Sequence, residues 1–113
     1  MGEKLKVLFI CTANRMRSRT AETMYSDDRR FEVRSAGTSV FADRVVDEEL
    51  LRWADWVVVM EDDHRRQIQK RFPLLAEQKT IVSLDIPDRY YYMDRVLMRD
   101  IKARFESLYD RMM

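Results

Sequence analysis

The sequence predicts a single-domain α/β fold on a parallel sheet, and three observations predict it. Four short apolar runs alternate with helical patterns, the arrangement of βαβ units. A chain of 113 residues has room for one sheet, a few helices and one core. With two glycines, two prolines and no repeat, low-complexity stretch or linker, nothing divides residues 1–113 into separate units.

The elements follow in order. A first strand runs from Lys4 to Ile10, and a helix begins at about Ser18 and reaches Asp28. A second strand spans Phe31 to Ser35. Gly37, in Ser35-Ala36-Gly37-Thr38, is expected to turn the chain away with a positive φ. A short helix from Asp47 to Ala54 leads to a strand from Trp56 to Met60. The next helix, from Asp62 to Phe72, is expected to stop before Pro73. The last strand is Thr80 to Leu84. In the final helix Leu97, Ile101, Phe105, Leu108 and Met112 recur as one apolar stripe, which reads as core packing.

Composition excludes several functions. The net charge is +1, and the signs are interleaved in runs such as Asp27-Asp28-Arg29-Arg30 and Glu61-Asp62-Asp63-His64-Arg65-Arg66, which read as solvated helix faces and ends. A nucleic-acid partner would call for a one-sided basic excess. No apolar run has the length of a membrane span, and no signal-like segment stands at the start, so the cytoplasm is the expected location and no membrane partner is expected. One cysteine and one histidine, with scattered carboxylates, show no metal-ligand spacing, and no cofactor is expected. His64 reads as a surface histidine.

Cys11 ends the first apolar run and is followed after five residues by Arg17 and Ser18, where a helix begins. The backbone N–H groups of Thr12, Ala13, Asn14, Arg15 and Met16 and of the first helical turn then converge on one point. The helix dipole adds partial positive charge there, and Arg17 supplies a planar fork for two oxygens. An oxyanion should bind at that point. The same field favours a thiolate on Cys11, with the Ser18 hydroxyl as a further donor to the sulfur. The loop has no glycine, and Asn14 is the member that best tolerates the left-handed backbone region such a curl requires. A sulfur so held attacks phosphorus in line.

Expulsion of an alkoxide or phenoxide near neutral pH is helped by an acid within reach. Ligands of such sheets sit beyond the carboxyl ends of the strands, which directs attention to Glu61, Asp62 and Asp63 after the third strand and to Asp85 and Asp88 after the fourth. Asp62 and Asp63 read as first-turn helix acids. Asp88 is the better candidate, with Asp85 left open, because Pro87 stiffens its approach. The tyrosines that follow, Tyr90 and Tyr91, are expected either to wall a flat substrate group and shield the carboxylate or simply to pack.

At this point the chain resembles a low-molecular-weight protein tyrosine phosphatase. The resemblance rests on Cys11-Thr12-Ala13-Asn14-Arg15-Met16-Arg17-Ser18-Arg19-Thr20-Ala21-Glu22, Ser35-Ala36-Gly37-Thr38, Val59-Met60-Glu61 and Ile86-Pro87-Asp88-Arg89-Tyr90-Tyr91, in that order along the chain. It implies a three-layer α/β/α sandwich with a four-stranded parallel sheet of order 2-1-3-4. It further implies Cys11 as nucleophile, Arg17 as phosphate clamp, Ser18 as thiolate stabiliser, Asn14 as loop shaper, Asp88 as general acid and Tyr90 and Tyr91 beside the cleft. Met16 stands where family members commonly have a second cysteine, and the interval from Thr38 to Asp55 is shorter than theirs, which removes a wall of the cleft. The expected function is hydrolysis of a phosphorylated protein or small aryl phosphate through a phosphocysteine, with inorganic phosphate or another oxyanion in the loop. Two other readings stay open: a non-catalytic phosphate- or phosphoprotein-binding module, and a thiol-dependent arsenate reductase, which would need an outside thiol because the chain has one cysteine.

Overall fold

In the computed structural model, which describes residues 3–113, the first apolar run forms the central strand β1 (Leu5–Cys11). Met1 and Gly2 of the single-domain expectation lie outside the described residues. Side chains alternate across β1. Val7, Phe9 and Cys11 enter one apolar cluster, and Leu8 and Ile10 enter the other. A strand buried on both faces needs neighbours on both edges. β2 (Phe31–Gly37) pairs with it in parallel on one side and β3 (Trp56–Val59) on the other, with β4 (Thr80–Ser83) beyond β3. The order β2-β1-β3-β4 is the one the resemblance implies.

Helices α1 (Arg17–Tyr25) and α5 (Arg95–Met112) cover one face of the sheet. On the other face lie α2 (Glu48–Trp53), α3 (Asp62–Arg71) and α4 (Pro73–Gln78), completing three layers. Asp47 caps α2 by accepting from Leu50 N–H at 2.8 Å, and Asp94 caps α5 through Val96 and Leu97. Phe105 is the hub of the α1/α5 side. Its ring centroid lies 4.9 Å from Tyr25 and 5.3 Å from both Phe9 and Phe31. Among the described residues no helix is long and apolar enough to cross a membrane.

The structure corrects the sequence reading in several places. β2 runs two residues past Ser35, because Ala36 and Gly37 continue the ladder against Ile10 and Cys11. α1 ends at Tyr25, short of Asp28, whose carboxylate instead accepts from the Arg30 N–H in a local turn. α3 ends at Arg71 with Phe72 as its C-cap and so stops before Pro73 as expected, but a further short helix that the sequence reading lacks begins there. The chain bends at Phe72 and restarts, with Pro73 in the first turn of α4, where its missing N–H costs nothing. Met112 is exposed in the last turn of α5, beyond the core that buries Leu97, Ile101, Phe105 and Leu108. Gly37 does not take a positive φ. It is small because a Cβ there would collide with the Thr12 carbonyl oxygen and come within 2.7 Å of the Ala42 Cβ.

The run Asp27-Asp28-Arg29-Arg30 is also more than a solvated end. The Arg30 guanidinium bridges Asp28 and Glu106 at 2.8 Å each and lies over the rings of Phe31 and Tyr109. Hydrogen bonding to Arg30 holds both carboxyl groups below their usual range. Tyr25 donates its hydroxyl to Glu106 at 3.0 Å, tying α1 to α5. With Phe105 fully buried at the centre of this face, Phe105→Ala is expected to lower the unfolding free energy by about 3–5 kcal/mol, and Phe105→Leu by much less, measured by urea denaturation.

Candidate active site

Cys11 is the last residue of β1, and residues 12–16 carry the chain over to Arg17, the first residue of α1. Three carbonyl groups at the start of this loop are bonded from outside it. Cys11, Thr12 and Ala13 accept from the N–H groups of Thr38, Ser39 and Asp43 at 3.0, 3.0 and 3.1 Å. Among the described residues all peptides are trans, so each carbonyl that points outward turns the next residue's N–H inward. The amides of Thr12, Ala13 and Asn14 therefore face the concave side. α1 has no side-chain cap and no acid in its first turn, which leaves the positive end of its dipole directed at the same place.

Asn14 gives the loop its curl. Its φ is 57°, and its buried amide donates to Ser18 Oγ at 2.8 Å and to Ser35 Oγ at 2.9 Å. Ser35 in turn donates to Glu22 at 2.7 Å. Ser18 Oγ, accepting from Asn14, has one hydrogen left to give. It lies 3.0 Å from Cys11 Sγ, where either atom can donate, and 3.4 Å from the Ala36 carbonyl.

Arg17 is 1% exposed. Its Nη1 donates to Glu61 Oε1 at 2.6 Å and to the Ile86 carbonyl at 2.7 Å, and its Nε lies 3.9 Å from Asp88 Oδ1. The segments after β3 and β4 thus meet the loop after β1. Of the two candidate acids after β4, Asp88 sits beside Arg17, whereas Asp85 turns back to accept from Ser83. The expected shielding of Asp88 is absent, since its side chain is 67% exposed. Tyr91 is 79% exposed, Tyr90 is half-buried with its hydroxyl 3.5 Å from Asp100, and Tyr92 reaches Thr23 at 2.8 Å. Arg15 is exposed and pairs with Asp43, which also approaches Arg19, while Ala13 and Met16 are half-buried. The short interval after Thr38 buttresses the outside of the loop and leaves Val40 and Phe41 exposed.

Sequence reasoning missed two side chains. Glu61, grouped with the acids after β3 but given no role, is the ion-pair partner of Arg17 and at once the N-cap of α3. His64 is not at the surface. It is 2% exposed, accepts from the Glu61 N–H through Nδ1 at 3.0 Å and places Nε2 2.9 Å from Thr12 Oγ1. The available signal was an acid and, three residues on, a polar side chain at a helix start, the spacing of a capping box. Asp62 and Asp63 do occupy the first turn of α3. Among the described residues no group of three or more His, Cys, Asp or Glu side chains is placed to hold a metal ion.

The family model for low molecular weight phosphotyrosine protein phosphatases matches residues 6–51, from β1 through the loop into α2. Comparison with curated protein sequences finds no match. Among solved structures, the YwlE arginine phosphatase of Geobacillus stearothermophilus superposes with a TM-score of 0.70 at 26% identity, covering 96% of this chain and 90% of that one. SP-PTP, a low molecular weight protein tyrosine phosphatase of Streptococcus pyogenes, gives 0.79 at 18% identity, over 96% and 93% of the two chains. Wzb of Vibrio vulnificus, solved with benzylphosphonate, gives 0.72 at 18%, over 98% and 100%. The chain has the fold of the low-molecular-weight phosphatases, its loop region matches their family model, and phosphatase activity is supported.

Burial, and secondarily the charge of Arg17, hold the His64 imidazole below its ordinary pKa of 6.5, against the opposing pull of Glu61, Asp63 and Asp88. As pH falls below 6.5 the unfolded chain takes up a proton that the folded chain resists, so stability drops until the depressed value is reached. The urea midpoint of the wild type should fall between about pH 7.5 and about pH 5.5, and His64→Gln should flatten that part of the profile.

Proposed function

We propose that the chain hydrolyses phosphomonoesters through a covalent phosphocysteine, with Cys11 as nucleophile, Arg17 as phosphate clamp and Asp88 as general acid and then base. The observation that carries this reading is the buried contact of Cys11 Sγ with Ser18 Oγ at 3.0 Å, inside a loop whose amides turn inward beside an uncapped helix start. A phosphoryl group in the loop would take the N–H groups of Thr12, Ala13, Asn14, Arg15 and Met16 and the fork of Arg17. The sulfur attacks phosphorus in line as the bond to the ester oxygen breaks, and Asp88 gives its proton to the departing oxygen. Asp88 then takes a proton from water, the water oxygen attacks phosphorus, and the sulfur–phosphorus bond breaks. Inorganic phosphate and the thiolate result. Each step balances without a cofactor.

The favoured substrate is an aryl phosphate, phosphotyrosine in a protein chain being its natural form, with Tyr90 and Tyr91 beside the departing ring. The 26% identity to an arginine phosphatase makes a phosphoarginine side chain the competing substrate. A reactive thiolate is kept reduced in the cytoplasm, where we place the activity.

Turnover of para-nitrophenyl phosphate, a phosphotyrosine peptide and a phosphoarginine peptide, measured side by side, tests the proposal. Wild type is expected to prefer the two aryl esters. Cys11→Ser should abolish turnover, Asp88→Asn should lower kcat by about a hundredfold or more, and Asp85→Asn should leave it near wild type. Binding of inorganic phosphate by a wild type that turns over none of the three would sink the hydrolase in favour of a binding module.

A further inference from the structure

His64 and Thr12 together determine a hydrogen that the proposed mechanism does not yet use. The Glu61 backbone N–H is a donor only, and it is accepted by His64 Nδ1 at 3.0 Å. Nδ1 must therefore carry its lone pair, which leaves the ring proton on Nε2. A doubly protonated ring would set N–H against N–H. Nε2 lies 2.9 Å from Thr12 Oγ1, so in this tautomer the ring donates and the threonine oxygen accepts. The threonine then has its own hydrogen free, directed away from the ring. Thr12 directly follows Cys11 and is exposed.

We propose that His64 is a positioning residue that fixes the Thr12 hydroxyl as a hydrogen-bond donor to the oxyanion held in the loop, adding a side-chain donor to the ring of amides. This rests on the phosphatase reading of the site. A serine or threonine hydroxyl is normally free to rotate between donor and acceptor roles. Here the buried imidazole removes the choice. His64 is itself held by α3, since it sits at the third position of the helix and closes a reciprocal box with Glu61, whose carboxylate also binds Arg17. One acid thus orients both the guanidinium and, through the imidazole, the hydroxyl.

The test is a double-mutant cycle on the full chain, read as the inhibition constant of inorganic phosphate against para-nitrophenyl phosphate and as kcat and KM for that ester. Thr12→Val, an isosteric change at an exposed position, is expected to weaken phosphate about tenfold or more, the size of one charge-assisted hydrogen bond. Thr12→Ser should restore it. His64→Gln should weaken phosphate in the wild-type background and have no further effect in the Thr12→Val background. Equal effects of His64→Gln in both backgrounds, or phosphate affinity unchanged in Thr12→Val, would overturn the inference while leaving a Cys11-dependent phosphatase intact. His64→Asn replaces His64→Gln in the cycle if the latter does not fold, with the same outcomes expected. A wild type with neither turnover nor phosphate binding would overturn the phosphatase reading and this inference with it.

Discussion

The burial of one guanidinium organises the carboxyl end of the sheet. Arg17 is always charged, and a buried charge without partners costs several kcal/mol or more. Its partners come from the segments after β3 and β4, as the Glu61 carboxylate and the Ile86 carbonyl. Both are near because β3 is the direct neighbour of β1 and β4 the neighbour of β3. A different strand order would leave the charge unmatched. Glu61 has a second duty as N-cap of α3, so the start of that helix and the orientation of Arg17 cannot be set independently. The ion pair is a structural condition of the loop as much as a feature of its chemistry.

The loop itself is held from behind. Its outward carbonyls are taken by residues 38–43, and that packing is so close that the end of β2 must be glycine. Asn14 fixes the curl from within, spending both amide hydrogens on Ser18 and Ser35. The consequence reaches the sulfur. Ser18, which accepts from Asn14, is held with its Oγ 3.0 Å from Cys11 Sγ. One side chain thus sets both the curl and the polar partner of the sulfur.

Much of this was readable from the chain. Periodicity located all four strands and the long terminal helix, since each buries a regular face. The Cys11 to Ser18 spacing located the loop, and the need for a left-handed residue singled out Asn14. What escaped the reading depends on contacts between distant segments. The sequence around Glu61 and His64 looks like a charged helix start, and only the adjacency of β1 and β3 turns it toward Arg17 and Thr12. Asp28 and Arg30 likewise gain their meaning from Glu106, far along the chain in α5. Gly37 was singled out for a backbone conformation, whereas the real constraint is a neighbouring carbonyl that local sequence does not reveal. The stop of α3 before Pro73 is a local effect and legible, while the short helix α4 that Pro73 opens depends on packing of Leu75 and Ala76 against the sheet.

The site combines a closed floor with an open rim, and this bears on the chemistry it favours. Cys11, Ser18, Asn14 and Arg17 are all buried, so the phosphoryl group would meet fixed donors that need no reorganisation. Asp88 and Tyr91, by contrast, stand in solvent contact, and Val40 and Phe41 extend from the segment behind the loop without covering it. In the proposed reaction, stabilisation of the transferring group is therefore strong and control of the leaving group is weak. A phenoxide departs with the help that an exposed Asp88 can give, whereas an alkoxide departs only with a better-placed proton. An enclosed cleft could impose selection by shape. Here the balance between a rigid floor and a wet acid selects by the intrinsic ease of departure, which favours aryl over alkyl phosphates without requiring a wall to recognise the ring.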